Sequence, residues 1–287
     1  MQLIDLRPKR VGADLRGVCQ LGANVNQNEP EVDAYITGLT TPLSSAQIGR
    51  LNTLVASLKS GLGISALSDA FDTLYVLAGE TSESSLRNLV KNAPYATAVN
   101  SPAFTQFEGF TGNGTSSYIN TNFTDSTSAV RFKVNNASYF EYIRTNLISY
   151  GGGIGSGSSG NGYNTQLYVA ASVSVYSALL NQGGTFSAPQ TGNNNNPGLL
   201  IINKTSANSS ELFKNLISLG SRTSTTNGYT GYASYINARN TSGTASNFSR
   251  LQISIAGHGR AFSSGEMTVI QNAFEAYMNA NGTGVIS

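Results

Sequence analysis

The stretch Phe104-Thr105-Gln106-Phe107-Glu108-Gly109-Phe110-Thr111-Gly112-Asn113-Gly114-Thr115-Ser116-Ser117-Tyr118-Ile119-Asn120-Thr121-Asn122-Phe123 decides how this chain is read. Before it, apolar residues recur at helical spacing; after it, they alternate. Its centre, Gly112-Asn113-Gly114, is turn chemistry, because Gly and Asn tolerate the positive φ angles of a tight hairpin. The stretch therefore predicts a hairpin that opens a β-sandwich.

Upstream, residues 31–92 read as helices. Val32, Tyr35, Ile36 and Leu39 share one helical face until Thr41-Pro42 interrupts it. Ser44-Ser45 caps a second helix with a single stripe, Ile48, Leu51, Val55 and Leu58, ending at Gly61. A third is predicted from Ser65 to Ala78, burying Leu67, Phe71, Leu74, Tyr75 and Leu77. Ser82 caps a short fourth through Leu86 and Leu89. The second stripe is too short for an intermolecular coiled coil, so it reads as internal core. A helical subdomain of about 60 residues is small for an independent core and is expected to dock on the sandwich or on a partner. Residues 1–30 carry Arg7, Lys9, Arg10 and Arg16 without apolar periodicity. They read either as a frayed arm or as an extended arm that orders against a neighbouring subunit.

Downstream, residues 93–287 read as an antiparallel sandwich closed by a helix. Leu167, Val169, Ala171, Val173 and Val175 alternate with Tyr168, Ala170, Ser172, Ser174 and Tyr176, the longest strand pattern in the chain. Leu199-Leu200-Ile201-Ile202 is a continuous apolar strand, hence central. Leu251, Ile253 and Ile255 alternate with Gln252 and Ser254. No helices separate these strands, which excludes a parallel sheet. Gly151 to Gly160 and Gly192 to Gly198 are low in complexity and read as edge loops. Ser263 and Glu266 make a capping box for a final helix with Met267, Ile270, Phe274, Tyr277 and Met278 on its buried face. The expected class is α+β, mainly β: an arm (1–30), a helical subdomain (31–92) and a sandwich with its C-terminal helix (93–287).

Charged residues are only 11% of the chain, against ~25% for an average soluble domain. With a net charge of +2 and no basic run, nucleic-acid binding is not expected. The N-terminal segment lacks a secretory apolar core, and no apolar run is long enough to span a membrane. Cys19 is the single cysteine, so no internal disulfide forms and the thiol reads as inert.

The residues from Phe104 to Phe123 resemble the opening hairpin of LamG-like (concanavalin A-like) jelly rolls, in particular those of tailed-phage virion structural proteins. Gly259-Arg260-Ala261-Phe262-Ser263-Ser264-Gly265-Glu266 is similar to the strand-to-helix ending of those domains. The resemblance spans roughly residues 86–282. It implies a concanavalin A-like sandwich in a non-catalytic bacteriophage virion structural protein, a head decoration or a fibre or tail appendage. Such a chain would be a homo-oligomer located in the virion, touching other virion proteins through its arm and helical subdomain. The same sandwich also hosts lectins, so the alternative is a carbohydrate-binding module for host surface glycans.

No catalytic constellation is visible. Sandwich glucanases need paired carboxylates on one strand face, whereas Glu108, Asp125, Glu141 and Glu211 lie far apart in sequence. Glu108, between Phe107 and Phe110, is the single pocket-acid candidate for a hydrolase reading. His258, the only histidine, reads as a turn residue after a strand. Neither a cofactor nor a metal is expected; Asp125 with Asn120 and Asn122 is the sparse calcium candidate weighed against that. Candidate contact residues, for a glycan or a subunit, are Tyr229, Tyr232, Tyr235, Asn237 and Arg239, with Tyr139 to Arg144 as a second such segment.

Overall fold

Ala137-Ser138-Tyr139-Phe140-Glu141-Tyr142-Ile143 is buried at every position. A strand does this only when both faces of its sheet are covered. Here Phe140 and Tyr142 join an apolar cluster with helices, while Ala137, Tyr139 and Ile143 join a second cluster between two sheets. The chain thus forms three layers: helices, an inner sheet and an outer sheet. The structure is a computed structural model and describes residues 28–91, 95–145, 151–158, 163–170, 175–183, 187–189, 197–223 and 228–286. The arm with Cys19, residues 171–174 and the Asn193–Asn196 run lie outside the described residues.

In chain order the elements are α1 (Pro30–Ile36), α2 (Ser45–Leu62), β1 (Phe71–Val76), α3 (Ser82–Ser85), β2 (Thr97–Val99), β3 (Ala103–Thr105), β4 (Gly109–Thr111), β5 (Tyr118–Thr124), α4 (Asp125–Ser128) and β6 (Ala137–Ile143). There follow β7 (Gly151–Gly157), β8 (Asn164–Ala170), β9 (Val175–Gln182), β10 (Ser187–Pro189), β11 (Gly198–Lys204), β12 (Ser209–Lys214) and β13 (Ile217–Thr223). The chain ends with β14 (Ala233–Ile236), β15 (Arg239–Thr241), β16 (Thr244–Ser246), β17 (Gln252–Gly259) and α5 (Ser264–Ala280). The inner sheet runs β13-β12-β11-β6-β17-β4-β3, with β1 also on β17. The outer sheet runs β10-β9-β8-β7-β14-β5-β2, with β15 and β16 attached at β7. Apart from β15 on β7, every pairing among the described residues is antiparallel.

Alternation assigns each inner strand to its two clusters. Leu199 and Ile201 face the helices, and Leu200 and Ile202 face the outer sheet. This is why the run reads as continuously apolar: both faces demand it, and each buried aliphatic side chain contributes about 1.5–3 kcal/mol. Helix α2 starts where Ser44 accepts the Gln47 N–H at 3.2 Å and stops where Gly63 turns left-handed at φ 64°. Helix α5 carries the expected capping box between Ser263 and Glu266. Helices α1, α2 and α5 share one apolar cluster with β1, β6 and β11. Gln47 donates to the Tyr277 hydroxyl at 2.7 Å, tying α2 to α5.

Several sequence expectations are corrected. The third helix, Ser65 to Ala78, is a 3-10 turn at Leu67–Asp69 followed by strand β1. Its helical-looking spacing arises because a strand buried on both faces is apolar at nearly every position. Gly112-Asn113-Gly114 does not close a hairpin: β4 lies in the inner sheet and β5 in the outer one, so the turn carries the chain between layers. The Asn113 Oδ1 accepts the N–H groups of Thr115, Ser116 and Ser117 at 2.8–2.9 Å, which shapes that crossing. The true hairpin joins β3 to β4, with Phe107 at φ 60°. The pattern from Leu167 to Val175 is two strands, since Ala170 pairs antiparallel with Val175. Most unexpectedly, Gly151–Gly157 is no edge loop but the fully buried strand β7 between β8 and β14. Its missing side chains allow close approach: a Cβ at Gly151 would stand 2.6 Å from the Phe248 carbonyl oxygen, and one at Gly152 3.0 Å from the Ala238 carbonyl carbon.

Candidate functional site

The central strands β6, β11 and β17 of the inner sheet are covered on both faces, and the far side of the outer sheet is a broad face that neither the helices nor the inner sheet cover. Residues whose chain neighbours point into the inter-sheet cluster identify that far side. Ile119, Ile154, Leu167 and Ile236 point inward. Their neighbours Tyr118, Asn120, Gly155, Gln166 and Tyr235 therefore point outward. One register row crosses four strands there: Gln166 pairs with Gly155, Gly155 with Tyr235, and Tyr235 with Asn120. Thr97, which is exposed, extends the row to β2.

Tyr235 stacks on Tyr118 with ring centroids 4.5 Å apart and planes 30° off parallel, and Phe248 leans on Tyr118 at 6.2 Å. Tyr118 and Phe248 are half-buried, whereas Tyr235 lies beneath with 8% of its surface exposed. Burial, then the neighbouring Tyr118, pushes the Tyr235 phenol up, so it stays protonated as a donor. Beside this cluster Arg239 donates from Nη2 to the Asn164 Oδ1. Both groups crowd Gly157, where a Cβ would collide with both. Asn122 is tied to the Tyr95 carbonyl (2.8 Å) and Thr97 Oγ1 (3.1 Å), fixing the rim. The result is a rigid aromatic step with amide, hydroxyl and guanidinium groups around it, able to stack a flat apolar face and hydrogen-bond its edges.

The structure divides the candidate residues. Tyr235 and Arg239 share this outer face. Tyr232 is half-buried near it. Tyr229 packs against the inter-sheet cluster instead. Asn237 is wholly buried at φ 65°, its amide lying between the Leu251 carbonyl (3.2 Å) and the Gly112 N–H (3.0 Å) when oriented to satisfy both. In the segment Tyr139 to Arg144, Tyr139 to Ile143 are strand β6, buried on both faces. Tyr118 and Phe248 were missed. The aromatic at 118 was visible as an alternating partner of Ile119, but its stacking on Tyr235 follows from the β5–β14 pairing, which sequence does not display.

The acids are scattered. Glu108 pairs with Arg144 at 2.9 Å and accepts from Gln252 at 3.1 Å. Asp125 is buried and accepts from Thr230 N (2.7 Å), Thr230 Oγ1 (2.9 Å) and Gly231 N (2.9 Å). Asn120 and Asn122 are engaged elsewhere, so the calcium trio is not brought together. Among the described residues no group of three acidic, histidine or cysteine side chains could hold a metal. His258 is not a turn residue. It sits in β17, fully buried, stacked on Phe123 at 4.4 Å and edge-on to Tyr139 at 4.2 Å. Its Nδ1 meets Thr73 Oγ1 at 2.5 Å and its Nε2 meets Ser234 Oγ at 3.2 Å. Burial lowers its pKa to about 3, so the ring is neutral and structural.

No protein-family model matches the sequence, and no curated protein matches it. Among solved structures, the Trypanosoma rangeli sialidase in complex with sialic acid is similar over 89% of this chain and 38% of that one, at 12% identity and a TM-score of 0.53. The CBM40 of the Ruminococcus gnavus IT-sialidase, bound to α2,3-sialyllactose, matches 48% of this chain and 83% of that one, at 15% identity and a TM-score of 0.38. At 12% identity the first likeness is one of fold alone. The chain is a mainly β two-sheet sandwich with added helices, consistent with the concanavalin A-like type.

Proposed function

We propose that this chain is a non-catalytic carbohydrate-binding module that takes its ligand on the outer face of the nine-stranded sheet. The observation that carries this reading is the Tyr118–Tyr235 stack, rimmed by Asn120, Phe248 and Arg239 on the sheet face that neither the helices nor the inner sheet cover. Stacked aromatics offer an apolar platform for the C–H face of a sugar ring, and the polar rim offers partners for its hydroxyls. The placement of the acids supports a binding rather than a bond-breaking role: Glu108 and Asp125 are spent on local partners.

The test is a glycan array followed by titration calorimetry on the best hit. Tyr118→Ala should weaken binding at least about tenfold, ~1.4 kcal/mol, with unchanged circular dichroism. Tyr229→Ala, off this face, should leave affinity unchanged if the fold holds. Absence of binding to every glycan, or equal affinity in Tyr118→Ala, would sink the reading.

A second reading rests on the resemblance of Phe104–Phe123 and Gly259–Glu266 to tailed-phage virion domains. In it the chain is a structural protein of the particle, contacting other virion proteins and copies of itself, with the outer sheet turned outward. Mass spectrometry of purified particles decides it: no peptides of this chain in virions would end that reading without touching the first.

A further inference from the structure

Glu141 lies in the middle of β6 and, between Tyr139 and Ile143, points into the seam between the sheets. It is 0% exposed, and among the described residues neither Oε1 nor Oε2 has a hydrogen-bond partner. Its ladder partners are Leu200 on β11 and Ala256 on β17, both in the inter-sheet cluster. Gly153 of β7 stands opposite, where any Cβ would collide with both carboxyl oxygens. Among the described residues the titratable groups facing the seam offer it nothing. Tyr139 on β6 and His258 on β17 are neutral, their burial favouring the uncharged forms. Lys204, four ladder positions along β11, directs Nζ to the Leu180 carbonyl at 3.4 Å. From the outer sheet come Ile154 and Ser156 of β7, Leu167 of β8 and Ile236 of β14, none charged. A carboxylate without a cation or donor in such a place is prohibitively costly, whereas the neutral acid is tolerated.

We propose that Glu141 is a proton-dependent latch between the two sheets: protonated, it lets the seam close over Gly153, and ionised, it forces the seam apart, so that the sandwich loosens as pH rises. The latch is independent of what the outer face binds. Burial drives the carboxyl well above its ordinary 4.5, so folding takes up a proton. The sign follows. The stabilisation is complete below the unfolded-state value and is lost as pH climbs towards the folded-state value. Across that window the unfolding constant grows about tenfold per pH unit for one proton.

Urea unfolding of wild type and Glu141→Gln from about pH 5 to about pH 8 tests this. The wild-type unfolding constant should rise relative to the variant by about tenfold per pH unit. Parallel profiles would overturn the proposal. Should Glu141→Gln fail to fold, infrared spectroscopy of native wild type at neutral pH decides instead. The carbonyl stretch of an un-ionised carboxylic acid must be present and must vanish on unfolding; a native spectrum without it refutes the latch.

Discussion

Gly153→Ala puts the reading of the glycine strand to its hardest test. The glycine has no left-handed requirement, so alanine fits its backbone, and the loss of unfolded-chain freedom alone would stabilise by about 0.4–1 kcal/mol. Against that stands the Glu141 carboxyl, which occupies the space a Cβ would take. The carboxyl is the end of a flexible side chain, but it is enclosed on all sides at 0% exposure and cannot swing out. Forcing a methyl into so closed a site costs about 1–3 kcal/mol. The net expectation is destabilisation of about 0–2.6 kcal/mol from those two ranges, about 1.3 kcal/mol at their centres. The decisive measurement is a double-mutant cycle by urea denaturation with Glu141→Ala. Once the carboxyl is gone, the added methyl has room, so the overpacking cost disappears and the coupling should be about 1–3 kcal/mol, with the double variant more stable than the singles add up to. A coupling near zero would refute the contact and with it the explanation of why β7 is built from glycine.

Further outcomes follow from other contacts. Asp72 is 2% exposed and accepts the N–H groups of Val130, Arg131 and Phe132 at 2.7–2.9 Å; Asp72→Ala should cost about 3 kcal/mol in urea unfolding. Ser263→Ala removes half of the α5 capping box and should cost about 1 kcal/mol. Arg260, by hydrogen bond, and the Ser263 N–H hold the Glu266 carboxyl below its usual range. That contribution is present above the unfolded-state value and lost as pH falls through the folded one, so Glu266→Gln should flatten the acid limb of the stability profile. The Tyr142 hydroxyl bonds Glu275 at 2.5 Å and receives the Val285 N–H at 2.8 Å; Tyr142→Phe should speed amide exchange at Val285 while sparing β17.

Much of the fold was legible because its signals are local. The caps at Ser44 and Ser263, the stripe of α2 and the continuous Leu199–Ile202 run each follow from a few neighbouring residues. What sequence hid is non-local. Phe71, Leu74 and Tyr75 satisfy a helical template as well as a strand, and only burial by α2 and α5 on one face and the outer sheet on the other decides between them. The glycine run of β7 has no pattern at all, since its identity comes from what its neighbours, Glu141 and Phe248 among them, need to occupy. The candidate face was half legible for the same reason. Tyr235 and Arg239 were visible as side chains on an alternating strand, but their companion Tyr118 is supplied by a strand more than a hundred residues earlier in the chain.

The unusual composition has a structural origin that also narrows where a ligand can be sought. Asparagine is abundant in the chain. Asn100, Asn122, Asn181, Asn215, Asn237 and Asn247 all hold positive φ, the conformation asparagine tolerates better than most side chains. Asn181 and Asn237 are entirely buried in that role. These six asparagines serve bulges and turns rather than recognition. The central inner strands β6, β11 and β17 are buried at every position and give ionised groups little place. A ligand on the outer face would, among the described residues, meet the half-buried ring of Tyr118, with Asn120, Arg239 and Phe248 around it.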